Sequence, residues 1–160
     1  MQVCIIALTE IGNNADGCTG IMEGHDAIFT KPPENTTFGG AGIYVKDSIN
    51  YSVRSDIKPL FVKTANYVEL ACIDLYTQES TYTVIVIYRH PNKGCIQDFQ
   101  YDLENFCHYV NKEAKNVIIV GDININLLNM HHENTKTYFN NLISNNYTPC
   151  VTLPTRITES

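Results

Sequence analysis

The chain has 160 residues, 44% of them apolar and 18% charged. That is enough for one folded domain with a real core, expected to span residues 1–160, and it argues against a disordered chain. Eleven Lys and Arg stand against 17 Asp and Glu, a net charge of −6; this disfavours unspecific gripping of a nucleic-acid backbone by a basic face and suits carboxylates gathered around a divalent cation.

The first predicted element is a strand at Val3–Leu8, an apolar run of the kind buried on both faces, and Thr9-Glu10 follows at its C-terminal end. No basic segment precedes it and no apolar run reaches membrane-spanning length, so a protein inside the cell, with the nucleus as a plausible site, is expected. Residues 11–24 are rich in Gly, Asn and Asp and read as loop, and Ala27–Phe29 reads as a short strand. Pro32-Pro33 marks another loop. Gly39-Gly40-Ala41-Gly42 then forms a tight turn into a strand at Ile43–Val45. No helix start with a following Lys accompanies these glycines, which excludes a phosphate-binding P-loop.

Tyr67–Leu75 and Tyr82–Tyr88 are strand runs separated by the polar turn Thr77–Thr81, which predicts an antiparallel hairpin. Its second strand ends in Tyr88-Arg89-His90-Pro91-Asn92, which puts His90 where it can line the same cleft as Tyr88. Asp98–Asn111 carries Phe99, Leu103, Phe106, Cys107 and Val110 at helical spacing. Val117–Val120 is a second buried-strand run, leading into Gly121-Asp122-Ile123-Asn124. Side chains two apart on extended chain point the same way, so Asp122 and Asn124 are expected to face one site. A second helix is predicted at Thr135–Ser144, stopped by Asn145-Asn146, and an extended tail with Pro149 and Pro154 follows. His131-His132-Glu133 is expected to be a solvated connection rather than a metal site. The six cysteines have no zinc-like spacing; Cys4, Cys72 and Cys107 are expected as buried thiols. Strands outnumber helices, which makes the fold α+β with a mostly antiparallel sheet system.

Glu10, Tyr88 with Arg89, and Asp122 with Asn124 each stand at a strand's end. On one rim, the carboxylates could hold Mg²⁺, which prefers hard oxygen ligands and keeps several waters. An Asp could orient a water, an Asn could support it, and a Tyr hydroxyl could donate to a phosphate oxygen. Each strand end alone is equally an ordinary turn.

Five ordered segments add specificity. They are Ala7-Leu8-Thr9-Glu10, Gly39 to Val45, Tyr88-Arg89-His90-Pro91-Asn92, Ile119 to Leu128, and Leu153-Pro154-Thr155-Arg156-Ile157-Thr158. Together they resemble the endonuclease/exonuclease/phosphatase domain, in particular the apurinic-type, deoxyribonuclease I-like endonuclease of non-LTR (LINE-type) retrotransposons. The resemblance implies a four-layer α/β/β/α sandwich. It also implies cleavage of DNA phosphodiesters with Mg²⁺ (or Mn²⁺), within a parent polyprotein that carries a reverse transcriptase. By position, Glu10 resembles the metal-binding glutamate, Tyr88 the tyrosine at the scissile phosphate, Asp122 the water-positioning aspartate and Asn124 its supporting asparagine. Thr155 matches a threonine near the phosphate, and Arg89 and Arg156 are candidate phosphate contacts beside Lys93. Ile123 stands where the family usually has Phe. The family's first strand with its catalytic Asn, and its later Ser-Asp-His segment, are not found in these residues. The expectation is therefore an incomplete domain, truncated at both ends, with a catalytically inactive remnant or binding module as the alternative and a phosphatase as a third reading.

Overall fold

The computed structural model describes residues 4–12, 22–30, 39–113, 116–151, 153 and 155. The Pro32-Pro33 loop, most of the residue 11–24 loop and Arg156 lie outside them.

Alternation along two long strands builds the core. β5 (Val68–Tyr76) and β6 (Thr81–Arg89) form the expected hairpin, in antiparallel register from Val68↔Arg89 to Tyr76↔Thr81. Successive side chains of a strand point to opposite faces. Leu70, Cys72, Ile85 and Ile87 therefore face one way, and Ala71, Ile73, Val84 and Val86 face the other. The hairpin belongs to a four-stranded sheet of order β4-β5-β6-β7, with β4 at Asn50–Val53 and β7 at Val117–Asp122. A second, three-stranded sheet has the order β1-β3-β2, from Ile5–Thr9, Ala41–Lys46 and His25–Phe29, antiparallel throughout. Among the described residues only the β6–β7 pairing is parallel, so the sheet system is mostly antiparallel.

The two sheets stack face to face. Ala41, Ile43 and Val45 of β3 meet the second apolar set of β5 and β6. The first set is covered by α1 (Ile96–Glu113) and α2 (Glu133–Ser144). The α1 stripe of Phe99, Leu103, Phe106, Cys107 and Val110 is buried as its spacing predicts. Asp102 on the same helix is buried too. It is satisfied by the backbone N–H groups of Lys63 and Thr64 and by the Thr64 hydroxyl, at 2.9–3.0 Å. His132 caps α2, its Nδ1 accepting from the Asn134 N–H. Three layers of the expected four-layer sandwich are thus present among the described residues: a sheet, a sheet and a helical layer.

Two strand expectations need correction. β1 and β7 both form, but neither is buried on both faces. Each lies at the edge of its sheet, with one described neighbour, and Ile118 of β7 remains 45% exposed. An apolar run shows what a strand can bury, not how many neighbours it has. Cys4, just ahead of β1, is exposed for the same reason, whereas Cys72 and Cys107 are buried and burial pushes each thiol up to about 12. β4 was not predicted; its Asn-Tyr-Ser-Val sequence carries too little apolar signal.

Candidate active site

The same alternation positions the site. Glu69, Tyr88 and Asp122 share the parity of the residues that face the three-stranded sheet, and the register places them side by side: Glu69↔Tyr88 and Tyr88↔Asp122. All three lie where β6 and β7 end and β5 begins. Glu10 arrives from the opposite sheet, one residue past β1, and its Oε1 accepts the Tyr88 hydroxyl at 2.8 Å. Residues 78 positions apart thus meet through one hydrogen bond across the sandwich.

Tyr88 is 2% exposed. Burial, the bond to Glu10 and the negative charges of Glu10, Glu69 and Asp122 hold its phenol above the ordinary tyrosine range. It therefore stays protonated, a donor, at neutral pH.

The backbone at this rim is strained. Among the described residues three non-glycines have positive φ: Glu10 at 58°, Asn124 at 51° and Asn146 at 66°. Asn146 merely follows α2, but the other two are candidate site residues, and strain of this kind gathers where a site holds side chains in place. Asn124 consequently does not continue β7 as extended chain. Asp122 Oδ1 accepts the Asn124 backbone N–H at 2.9 Å, closing a local turn, and Asn124 Nδ2 donates to the Arg89 carbonyl at 2.8 Å. The Asp122 side chain thus meets the Asn124 backbone through a turn, and the Asn124 side chain goes to β6. Gly121 makes that turn possible. Its φ is 131°, and a Cβ there would stand 2.0 Å from the Ile87 carbonyl oxygen.

Arg89, expected among the phosphate contacts, is 5% exposed and turned to the helical side, over the ring of Phe99. Its parity explains this, since Ile85 and Ile87 face the same layer. Its guanidinium donates to the carbonyls of Ile123 (2.7 Å), Asn124 (2.9 Å) and His90 (3.3 Å). Burial of the charge pulls its pKa down. Thr155 is exposed in an irregular segment. Beside the rim, Arg89 and Asn124 also border a cavity of about 540 Å³, whose other walls include Cys95, Gln97, Asn129 and His132.

Two residues were missed as site candidates. Glu69 was read only as part of a strand, and His90 only as a possible cleft wall. They form a buried pair, His90 Nε2 to Glu69 Oε1 at 2.8 Å, with the His90 ring edge-on to Tyr88 at 4.9 Å. The available signal was Glu69 itself: a carboxylate on the buried face of an apolar strand needs a partner.

No family profile matches the sequence, and no curated protein matches it. Solved structures do. The endonuclease domain of TRAS1, a telomere-specific non-LTR retrotransposon, superposes with a TM-score of 0.63 and 14% identity over 89% of this chain and 60% of that one. The D. rerio TDP2 complexed with a single-strand DNA product gives 0.55 and 12%, over 91% and 53%. The Xenopus laevis APE2 catalytic domain gives 0.55 and 14%, over 88% and 59%. The chain spans a little over half the length of these structures. It has the endonuclease/exonuclease/phosphatase fold, as its ordered segments led us to expect.

Proposed function

We propose that this chain carries the cation- and phosphate-facing rim of a divalent-metal-dependent DNA phosphodiesterase, the endonuclease part of a retrotransposon-derived protein with a reverse transcriptase elsewhere. The observation that supports it most is the convergence of Glu10, Tyr88 and Asp122 from three strand ends on both sheets.

The residues fit a hard divalent cation. Glu10 and Asp122 are exposed carboxylates at a rim whose negative field already raises Tyr88. No cluster of three or more ligating side chains occurs among the described residues. Mg²⁺, which keeps several waters and takes one or two carboxylates plus substrate oxygens, suits such a sparse donor set better than an ion that needs a full protein cage. Glu10, with Oε1 engaged by Tyr88, offers Oε2. Bound there, the cation would supply charge neutralisation at the phosphoryl group.

The chain's own groups do the rest. Tyr88 has one hydroxyl proton, which it gives to Glu10 here and can redirect to a non-bridging phosphate oxygen. Asp122 is fixed through Oδ1 by the Asn124 N–H, leaving Oδ2 to orient a water and take its proton. Asn124 ties that segment to β6 through the Arg89 carbonyl. Arg89 serves by holding the Ile123–Asn124 backbone from beneath, rather than by touching phosphate.

The test is nicking of supercoiled plasmid in Mg²⁺ against EDTA, with Asp122→Ala and Glu10→Ala beside the parent chain and a phosphomonoester as a second substrate. Metal-dependent nicking lost in both variants is expected. Absent nicking would turn the reading to the inactive remnant or binding module, and release of phosphate from the monoester alone would turn it to a phosphatase.

A further inference from the structure

We infer that Glu69 and His90 are positioning residues: a buried strut between the two sheets that sets the place of Glu10 and, through it, the Glu10–Tyr88 pair. The role of Glu10 toward a cation rests on the function proposed above; the strut itself rests on geometry.

Glu69 belongs to β5 in one sheet, and Gly39-Gly40 lead into β3 of the other. Glu69 uses both oxygens. Oε1 meets His90 Nε2 at 2.8 Å, and Oε2 accepts the Gly40 N–H at 3.2 Å. The Gly40 carbonyl in turn accepts the Glu10 N–H at 3.0 Å, and the Gly39 carbonyl accepts the Gly12 N–H at 2.8 Å. Glu10 then accepts from Tyr88, whose ring packs against His90. The contacts close a loop: His90, Glu69, Gly40, Glu10, Tyr88 and back to His90.

Elsewhere the facing sheets meet mainly through aliphatic side chains, which set their spacing but little of their rotation, with one exposed hydrogen bond from the Tyr51 hydroxyl of β4 to Asp26 of β2 at 3.2 Å. The carboxylate-to-amide bond supplies a buried directional constraint at the end where Glu10 sits. Glu10 needs it, because its φ of 58° is a conformation that an unsupported residue leaves. The sequence also makes room for the strut. A Cβ on Gly39 would lie 2.8 Å from His90 Nε2 and 3.0 Å from Glu69 Oε1, so only glycine lets the pair press against that backbone. The pair is 4% and 5% exposed and its polar atoms are engaged with each other and with the Gly40 N–H, which gives it support as its part. Residues that orient a ligating side chain typically change metal affinity about 10–100-fold when removed.

Two readouts on the 160-residue chain test this. The first, independent of metal, is amide hydrogen exchange. In Glu69→Ala, the Glu10 and Gly12 amides should exchange about tenfold faster or more, while β5 and β6 amides away from the rim keep their protection. In Glu69→Gln, which retains an acceptor for Gly40 and a group that reaches His90, exchange should stay near the parent's. The second is Mn²⁺ titration by calorimetry, with affinity expected to fall about tenfold or more in Glu69→Ala and to recover in Glu69→Gln. If Glu69→Ala fails to fold, His90→Phe keeps a ring against Tyr88 without the nitrogen that meets Glu69, and is read in its place. Unchanged exchange at Glu10 and Gly12 overturns the inference, whatever Mn²⁺ does. Faster exchange with no Mn²⁺ binding even by the parent supports the strut and overturns the metal reading.

Discussion

Two groups of charges lie near opposite ends of β5, about 17 Å apart along the strand at ordinary strand rise, and they are built on opposite plans. At the far end, Arg54 bonds Asp56 at 2.7 Å, Glu113 at 2.9 Å and Asp74 at 3.2 Å. At the rim, Glu10 and Asp122 form no ion pair among the described residues. The cation nearest in sequence, Arg89, is turned to backbone carbonyls. In the first cluster each carboxylate is paired with the one guanidinium. The second spends its hydrogen bonds on aiming carboxylates and leaves their charge uncompensated. A protein gains no stability from assembling like charges, and that is what favours the cation-binding rim proposed above.

That contrast yields a double dissociation. The largest effect is expected from Asp122→Asn, which keeps shape and the acceptor for Asn124 but removes the base. Metal-dependent plasmid nicking should fall about 10²–10³-fold, with the urea midpoint unchanged or raised because like-charge repulsion is relieved. A lowered midpoint would show that the rim is a structural cluster after all. Tyr88→Phe should cost nicking about 10–100-fold, one donor's worth, while changing stability by no more than about 1 kcal/mol.

Arg54→Ala should do the reverse, reducing unfolding free energy by about 1–2 kcal/mol in urea melts, since its partners are largely solvent-screened, and leaving nicking within about twofold of the parent; a large loss of nicking would join two regions that the structure keeps apart. The smallest effect concerns pH. The Arg54 guanidinium holds the Asp56 carboxyl down at about 2 against an ordinary 3.8. A lowered folded-state pKa means stability that is complete above the ordinary value and is lost as pH falls from about 4 toward 2. Because Asp56 is 43% exposed, the loss should be modest. Urea midpoints at pH 5 and pH 2.5 should draw closer together in Arg54→Ala, and an unaltered difference would remove Asp56 from the far cluster's contribution.

The strand ends were legible because the chain signals them locally. Apolar runs that stop at Glu10, Tyr88 and Asp122 are visible residue by residue, and the hairpin turn fixes the β5–β6 register that the site depends on. What the sequence hid was pairing across distance. Nothing local to Val117–Val120 reveals that β7 has a single neighbour among the described residues, and nothing local to Tyr88-Arg89-His90 shows which of the three faces the cleft. Alternation would have told the last one: counting from the buried Ile85 and Ile87, Arg89 must face the helices, and Tyr88 and His90 the other sheet. Glu69 was hidden by its surroundings, a carboxylate among the apolar residues at the start of β5 whose partner lies 21 positions away. The turn at Asn124 escaped because a left-handed asparagine reads in sequence like one more strand residue.

The reciprocal bonding of Arg89 and Asn124 has a consequence for binding entropy. Arg89 donates to the Asn124 carbonyl and Asn124 donates to the Arg89 carbonyl, so the ends of two parallel strands are fastened to each other where regular ladder pairing stops. Ordering a free segment of chain costs roughly 1–2 kcal/mol per residue. Here the residues after Asp122 lose that freedom once, when the chain folds, and not again at each encounter. For the proposed function, an aspartate followed by irregular chain is thereby held in the orientation it would have on a regular strand before any substrate arrives.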